Sequence, residues 1–216
     1  MPMTISGQAG PSGPATSGQQ VPVRLGALGD VIASELHAQR YEGTFRKNRF
    51  SGGMQAVLAT ATVVGPLASV TGVSVLANPN GSQVNLVLEE FGVSFVLAPA
   101  APLAFGIGVG QSTTALAGTL TSLAPTSDFV GSGLNPVGLL YASAAITLPT
   151  VPYVKRWLGQ LDQGAVTVTN SNQGVYDLKG SIIIPPGGYA VMVTSAVLAA
   201  SAHVASWAWE EVSIVG

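Results

Sequence analysis

Residues 176–213 constrain this chain most, because β-rich runs there are divided by residues that can do little except turn. Residues 176–184 carry period-2 apolar positions, Pro185-Pro186-Gly187-Gly188 interrupts them, and 189–199 and 204–213 follow as further strands. Proline presets φ for a turn and glycine takes positive φ without a Cβ clash, so the tetrapeptide predicts a hairpin in an antiparallel sheet. The same punctuation recurs upstream. Runs 54–64 and 68–77 flank Gly65-Pro66, and Asn78-Pro79-Asn80-Gly81-Ser82 is a turn before 84–97. Runs 103–109 and 137–148 continue the pattern. About eight strands with no amphipathic helices between them predict an all-β fold, an antiparallel sandwich of the jelly-roll kind. Segments 110–136 and 149–174 are longer than ordinary connections and read as functional or interface loops.

The N-terminal part reads differently. Residues 1–20 are rich in Gly, Ser, Pro and Gln, carry no charge and have little to bury, so they predict an extended arm. Asp30 can cap a short helix running to Tyr41, with Leu28, Ile32 and Leu36 at helical spacing. The expected organisation is an arm with a short helix over 1–50 and a jelly-roll sandwich over 51–216.

Two glutamate pairs interrupt strand periodicity. Apolar residues fall on Val84, Leu86 and Leu88, then change parity to Phe91, Val93 and Phe95 across Glu89-Glu90. Trp207 and Trp209 share one parity, Val212 and Ile214 the other, across Glu210-Glu211. A one-residue slip exchanges the faces of a strand, so each pair predicts a β-bulge or the end of regular pairing.

Charge is the scarce ingredient. Charged residues make up 8% of the chain, against roughly a quarter in ordinary globular domains, which is too few to solvate a conventional surface. A neutral Ser/Thr/Asn/Gln/Gly surface would answer this, but burial against further copies answers it better, since obligate interfaces are apolar. A homo-oligomer, most simply a trimer, is expected. A membrane-spanning helix is not: the uncharged run 91–127 is broken by Pro99, Pro102 and several glycines, and 188–209 lacks basic flanks. Nor does 1–20 have the basic and apolar regions of a secretory signal. Cysteine is absent, which excludes disulfides and thiolate chemistry, and a net charge of −2 gives no electrostatic case for nucleic acid.

Candidate chemistry is correspondingly thin. A metal site of the cupin type needs clustered His and carboxylate ligands, and only His37 and His203 exist. No nucleophile–base–acid set can be assembled around either histidine. Adjacent glutamates on a strand point to opposite faces, so neither pair alone makes a catalytic carboxylate pair, and no calcium-loop motif surrounds them. Gly106-Ile107-Gly108-Val109-Gly110 lacks the spacing and helix context of a nucleotide-binding loop and reads as loop or strand-end glycine. Asn80-Gly81-Ser82 reads as a turn rather than a glycosylation acceptor. Trp207 and Trp209 could stack on a sugar with Trp157 and Tyr153, although core packing is the better account because aromatics dominate burial in sandwiches. No catalytic residue, metal or cofactor is expected. The partner-binding candidates are Phe45, Arg46, Lys47, Arg49 and Phe50, a basic-aromatic cluster suited to a neighbouring subunit, together with Tyr153 and Trp157.

Glu35-Leu36-His37, Tyr41-Glu42, Phe45-Arg46, Asn48 and Phe50 together resemble a segment near the start of tailed-phage virion structural proteins. Ile184-Pro185-Pro186-Gly187-Gly188-Tyr189 with Trp207-Ala208-Trp209-Glu210-Glu211 resembles the last strands of phage jelly-roll proteins that form trimers on capsids, necks or tails. The resemblance implies a particle component located in the virion, partnered by itself and by major capsid or other virion proteins, with no catalytic residues to carry over. A capsid cement or decoration protein is the leading expectation. A glycan- or receptor-binding knob of a neck or tail, using 110–136 and 149–174, is the alternative, and a carbohydrate-active enzyme comes third.

Overall fold

Strand-forming runs cut by proline and glycine produce strands, and almost nothing else. The computed structural model describes residues 40–55, 58–59, 71–97, 102–161, 174–196 and 202–214. The chain divides into a unit Met1–Glu42, of which only Arg40, Tyr41 and Glu42 are described, and a unit Gly43–Gly216 that holds every strand. The expected arm over 1–20 and the helix expected from Asp30 to Tyr41 therefore lie outside the described residues but for the helix's last two positions; the helical turn that is described, α1 (Tyr41–Phe45), begins where that helix was expected to end, after Arg40 at φ 75°. The strands are β1 (Arg49–Gly53), β2 (Leu58–Ala59), β3 (Thr71–Ala77), β4 (Val84–Leu97), β5 (Leu103–Gln111), β6 (Ala117–Gly118) and β7 (Ser122–Leu123). After them come β8 (Thr126–Ser127), β9 (Leu139–Thr147), β10 (Tyr153–Leu161), β11 (Gly174–Ile184), β12 (Gly188–Thr194) and β13 (Ala202–Ser213).

These form two antiparallel sheets, one ordered β11-β4-β13-β1-β8 with β2 beside β13, the other β10-β5-β12-β3-β9-β6 with β7 beside β9. Their inner faces share one core. Phe95 on β4 meets Phe105 on β5 at 6.0 Å between ring centroids, and the buried Trp207 indole on β13 donates to Ser74 Oγ on β3 at 2.9 Å. The fold is an all-β antiparallel sandwich, as the sequence predicts. Among the long strands pairing is nested: β1 pairs β13, β3 pairs β12, β4 pairs β11 and β5 pairs β10, while β9 is added outside β3.

The nesting corrects one expectation. Pro185-Pro186-Gly187-Gly188 is a turn, with Gly187 at φ 76° and the Gly188 N–H donating to Pro185 O at 2.8 Å, but it does not close a hairpin. It carries the chain from β11 in one sheet to β12 in the other. Turn residues only reverse the chain, whereas burial chooses the neighbours. All seven positions of β12 are buried, so it needs a strand on each side, while β11 alternates and can sit at an edge. Asn78 locks this corner to the next one: its Nδ2 donates to Val84 O at 2.8 Å and Ile184 O at 2.9 Å, and its carbonyl accepts the Gly187 N–H at 2.9 Å.

Two further expectations change. Segment 149–174 is not one long loop, because β10 occupies its first half as an edge strand. Its periodicity is hidden by two register shifts, one between Val154 and Arg156 and one between Trp157 and Gly159. The glycine run is not loop or strand end either; it is the interior of β5. A Cβ at Gly110 would collide with the Tyr189 ring, one at Gly108 with Val193 and Pro152, and one at Gly106 with the Arg156 carbonyl. These glycines let the neighbouring strands and a large side chain lie against β5.

Candidate functional site

A chain so poor in charge concentrates it where β1, β4, β13 and the β8 loop meet. Arg49 opens β1 opposite Glu210 on β13, and its guanidinium reaches across to β4. Arg49 Nε lies 2.5 Å from Glu89 Oε2, Nη2 lies 3.6 Å from Glu90 Oε2, and Nη1 pairs with Asp128. The second Asp128 oxygen accepts from the Ser51 hydroxyl, so β8 and the loop after it are tied to β1. Arg49, Glu89 and Asp128 are each about 15% exposed at the side chain, where charges must be paired to be tolerated. Burial, with the Glu89 carboxylate nearby, pushes the Glu210 carboxyl up from its ordinary value, against the pull of Arg46 and Arg49. Glu211 does something else. Its Oε1 accepts the backbone N–H groups of Val137 and Gly138, each at 2.8 Å, and the Trp209 indole N–H at 3.2 Å.

This arrangement staples loops to a sheet. Among the described residues no group of three or more His, Cys, Asp or Glu side chains could hold a metal ion. Beside this node an open cavity of about 760 Å³ runs over the outer face of the β1/β13/β4 sheet, floored by Ser51, Gly53, Gly92, Ser206 and Ala208. A smaller one of about 250 Å³ lies by Leu116, Leu139 and Tyr141. Two polar side chains beside that second cavity are engaged: Asn80 Nδ2 donates to Thr113 O at 2.7 Å and the Tyr189 hydroxyl to Thr150 O at 2.6 Å.

The sequence-selected residues separate into two places. In the first, Arg49 and Phe50 turn into their own chain, Phe50 within the core, while Phe45 and Arg46 are exposed and Lys47 lies 5.3 Å from the centre of the Phe129 ring. In the second, Tyr153 is 75% and Trp157 46% exposed on β10. Cross-sheet neighbours run β1 with β9, β4 with β5 and β11 with β5, which sets the β8 margin and the β10 margin at opposite edges of the sandwich. Trp207 and Trp209 are core residues, so neither joins Trp157 and Tyr153 on a sugar-stacking face. His37 lies outside the described residues. His203 is fully buried beside Phe95, and neither ring nitrogen has a hydrogen-bond partner; burial lowers its pKa to about 4. Asp128 was not selected from the sequence, although a signal existed: it is the only charged residue between Glu90 and Lys155. A lone charge in so long an uncharged stretch needs a partner.

No protein-family model, no curated protein and no solved structure matches the chain.

Proposed function

We propose that this protein is a structural component of a virus particle, a cement or decoration protein that assembles as a homotrimer on the shell and stabilises it. The observation that carries this reading is the apolar tip between β8 and β9. Phe129, Val130, Leu134, Val137 and Leu139 are all exposed there, Val130 at 93%, and no charge follows Asp128 until Lys155. A side chain as exposed as Val130 would contribute about 1.5–3 kcal/mol if fully covered, and the half-exposed ones a smaller share each, which is reason for a protein contact at that tip. The nested strand pairing supports the jelly-roll form of the sandwich, in which the chain is folded double and then rolled. The charged node fits the same role, since it ties the root of the tip to the sheet through Asp128 and Glu211.

Light scattering of the purified protein tests assembly: a trimer mass is expected, and a stable monomer at micromolar concentration would sink the reading. Val130→Asp with Leu134→Asp should release monomers and abolish binding to particles stripped of the protein. One observation favours a second reading, a receptor- or glycan-binding knob. Tyr153 and Trp157 are exposed together on one edge strand, where a purely cementing protein has no need of them.

A further inference from the structure

Two connections reach from one side to the other of the sheet ordered β10-β5-β12-β3-β9-β6. Residues 112–116 lead from β5 to β6, and 148–152 lead from β9 back to β10. Phe105 meets Phe95 in the core, so the alternate positions Gly108 and Gly110 of β5 face outward. Pro152 lies against Gly108 and the Tyr189 ring against Gly110, which places both on the outer face of the sheet. The cavity of about 250 Å³ lies here, lined by Leu116, Leu120, Leu139, Pro149 and the rings of Tyr141 and Tyr189. Its walls are anchored by backbone. The Ser112 N–H donates to Gly187 O at 2.9 Å, Ala117 pairs with Thr147, and the Tyr189 hydroxyl holds its ring to Thr150 O at 2.6 Å. A side chain at Gly187, which has φ 76°, would collide with Asn80 Oδ1 and Ser112 O, so this glycine lets the first connection leave so close to β12.

Walls fixed in this way cannot close on one another, and their chemistry selects what fills the space between them. No Asp, Glu, Lys, Arg or His lines the cavity. An ionised ligand would give up its hydration there without a counter-charge. The Tyr141 hydroxyl forms no hydrogen bond with a described residue, so it can bind one oxygen of a ligand. An apolar cavity of about 150 Å³ already takes up benzene, so the space here suits one ring with a small substituent. We propose that this cavity binds a small neutral ring bearing a single oxygen, a monocyclic phenol being the type, with Tyr141 bonding the oxygen and Leu116, Leu139 and Tyr189 enclosing the ring. A sugar ring fits less well, because it would turn several hydroxyls toward apolar walls. The inference is independent of both readings above and holds whether or not the chain assembles through its apolar tip.

Methyl NMR of the full chain titrated with p-cresol, toluene, benzoate and methyl glucoside tests this. p-Cresol should give saturable shifts centred on the Leu116, Leu120 and Leu139 methyls, and benzoate and methyl glucoside should give none. Tyr141→Phe should weaken p-cresol by about three- to tenfold, the worth of one neutral hydrogen bond, and leave toluene unchanged. Leu116→Trp, which puts a larger side chain into the cavity, should abolish binding of both. Should that variant fail to fold, Tyr141→Phe decides alone, since it keeps the ring. Shifts scattered over the surface, p-cresol binding that Tyr141→Phe leaves untouched, or an equal loss for toluene would overturn the proposal. Tighter binding of methyl glucoside than of p-cresol would overturn it in favour of a sugar site. Loss of oligomeric mass in light scattering at saturating p-cresol would also overturn it, because the cavity would then belong to a ring from a neighbouring copy.

Discussion

The two glutamate pairs look alike in sequence and behave differently in the fold. Each sits where the apolar parity of a strand changes. At Glu89-Glu90 the change is real: Leu88 and Phe91 are both fully buried, and Glu89 is the extra residue, since Ala208 pairs with Glu90 and Trp209 with Leu88. On its other side β11 also departs from register, between Asp177 and Ile182, so the bulge is matched by both neighbours. At Glu210-Glu211, where a bulge or the end of regular pairing is expected, the ladder with β4 runs unbroken from Trp209 to Ser213 and there is no bulge. Only the ladder with β1 ends there, at Arg49↔Glu210. Val212 and Ile214 took part in the parity argument as if they were core, but both are exposed. A parity change marks a bulge only when the apolar residues on both sides of it are buried.

The largest test of this contrast is Arg49→Met. Glu89 and Asp128 would lose the Arg49 guanidinium while mostly buried, and breaking a buried pair from one side costs about 3–5 kcal/mol. Urea denaturation should show that loss, and Glu89→Gln added to the variant should restore part of it, because the two side chains share one interaction. A loss below about 1 kcal/mol, as for exposed pairs, would mean the bulge is not held by the ion pair.

The opposite end of β13 gives the contrary case, a polar side chain buried with nothing to bind. Above pH 6.5 His203 is neutral in both the folded and unfolded chain. Below that the unfolded chain takes up a proton that the folded one refuses until about pH 4, so stability falls as pH falls across this window. The total is about 3 kcal/mol, from the separation of the two values. Comparing wild type with His203→Leu at pH 7 and pH 4 isolates the effect from the carboxylates, and an identical pH dependence of the two would refute it.

Glu211→Gln should cost less, about 1–3 kcal/mol, the usual range for disturbing a charged, hydrogen-bonded group. An amide oxygen can still accept from Val137 and Gly138, but the charge that strengthens those bonds is lost. Faster amide exchange at Val137 and Gly138, with β13 unaffected, is the expected signature.

How far the sequence could be read follows from the same physics. Turn residues and β-rich runs made the strand class legible, and 84–97 was read with the bounds of β4 because its buried residues lie on both sides of the bulge. Strand partners were not legible: nothing local to Pro185-Pro186-Gly187-Gly188 says that the next strand enters the other sheet. β10 was hidden because an edge strand with two bulges has no period. In the charged node, Arg49, Glu89 and Glu90 are singled out by the sequence for other reasons, and their meeting depends on β1 and β4 both pairing with β13, far along the chain, at Arg49↔Glu210 and Glu90↔Ala208. Asp128 was missed because loops give no register from which to place a side chain.

The smallest expected effect is the most direct check on the parity lesson. Val212 and Ile214 are 43% and 41% exposed, beyond the point where β1 supports β13. If they are surface residues, Val212→Ser with Ile214→Ser should shift stability by no more than about 0.5 kcal/mol per site, as for other exposed positions. The corresponding change at the other pair, Phe91→Ser, removes a fully buried ring that packs 4.5 Å from Trp207 between centroids, and should prevent stable folding. The proposed trimer adds a second reading to the same variant. Should Val212→Ser with Ile214→Ser leave the monomer's unfolding unchanged and yet lower the trimer's midpoint in a concentration-dependent way, the exposed end of β13 would belong to the subunit contact along with the apolar tip. A large loss of monomer stability would instead return these two residues to the core and revive the parity argument at Glu210-Glu211.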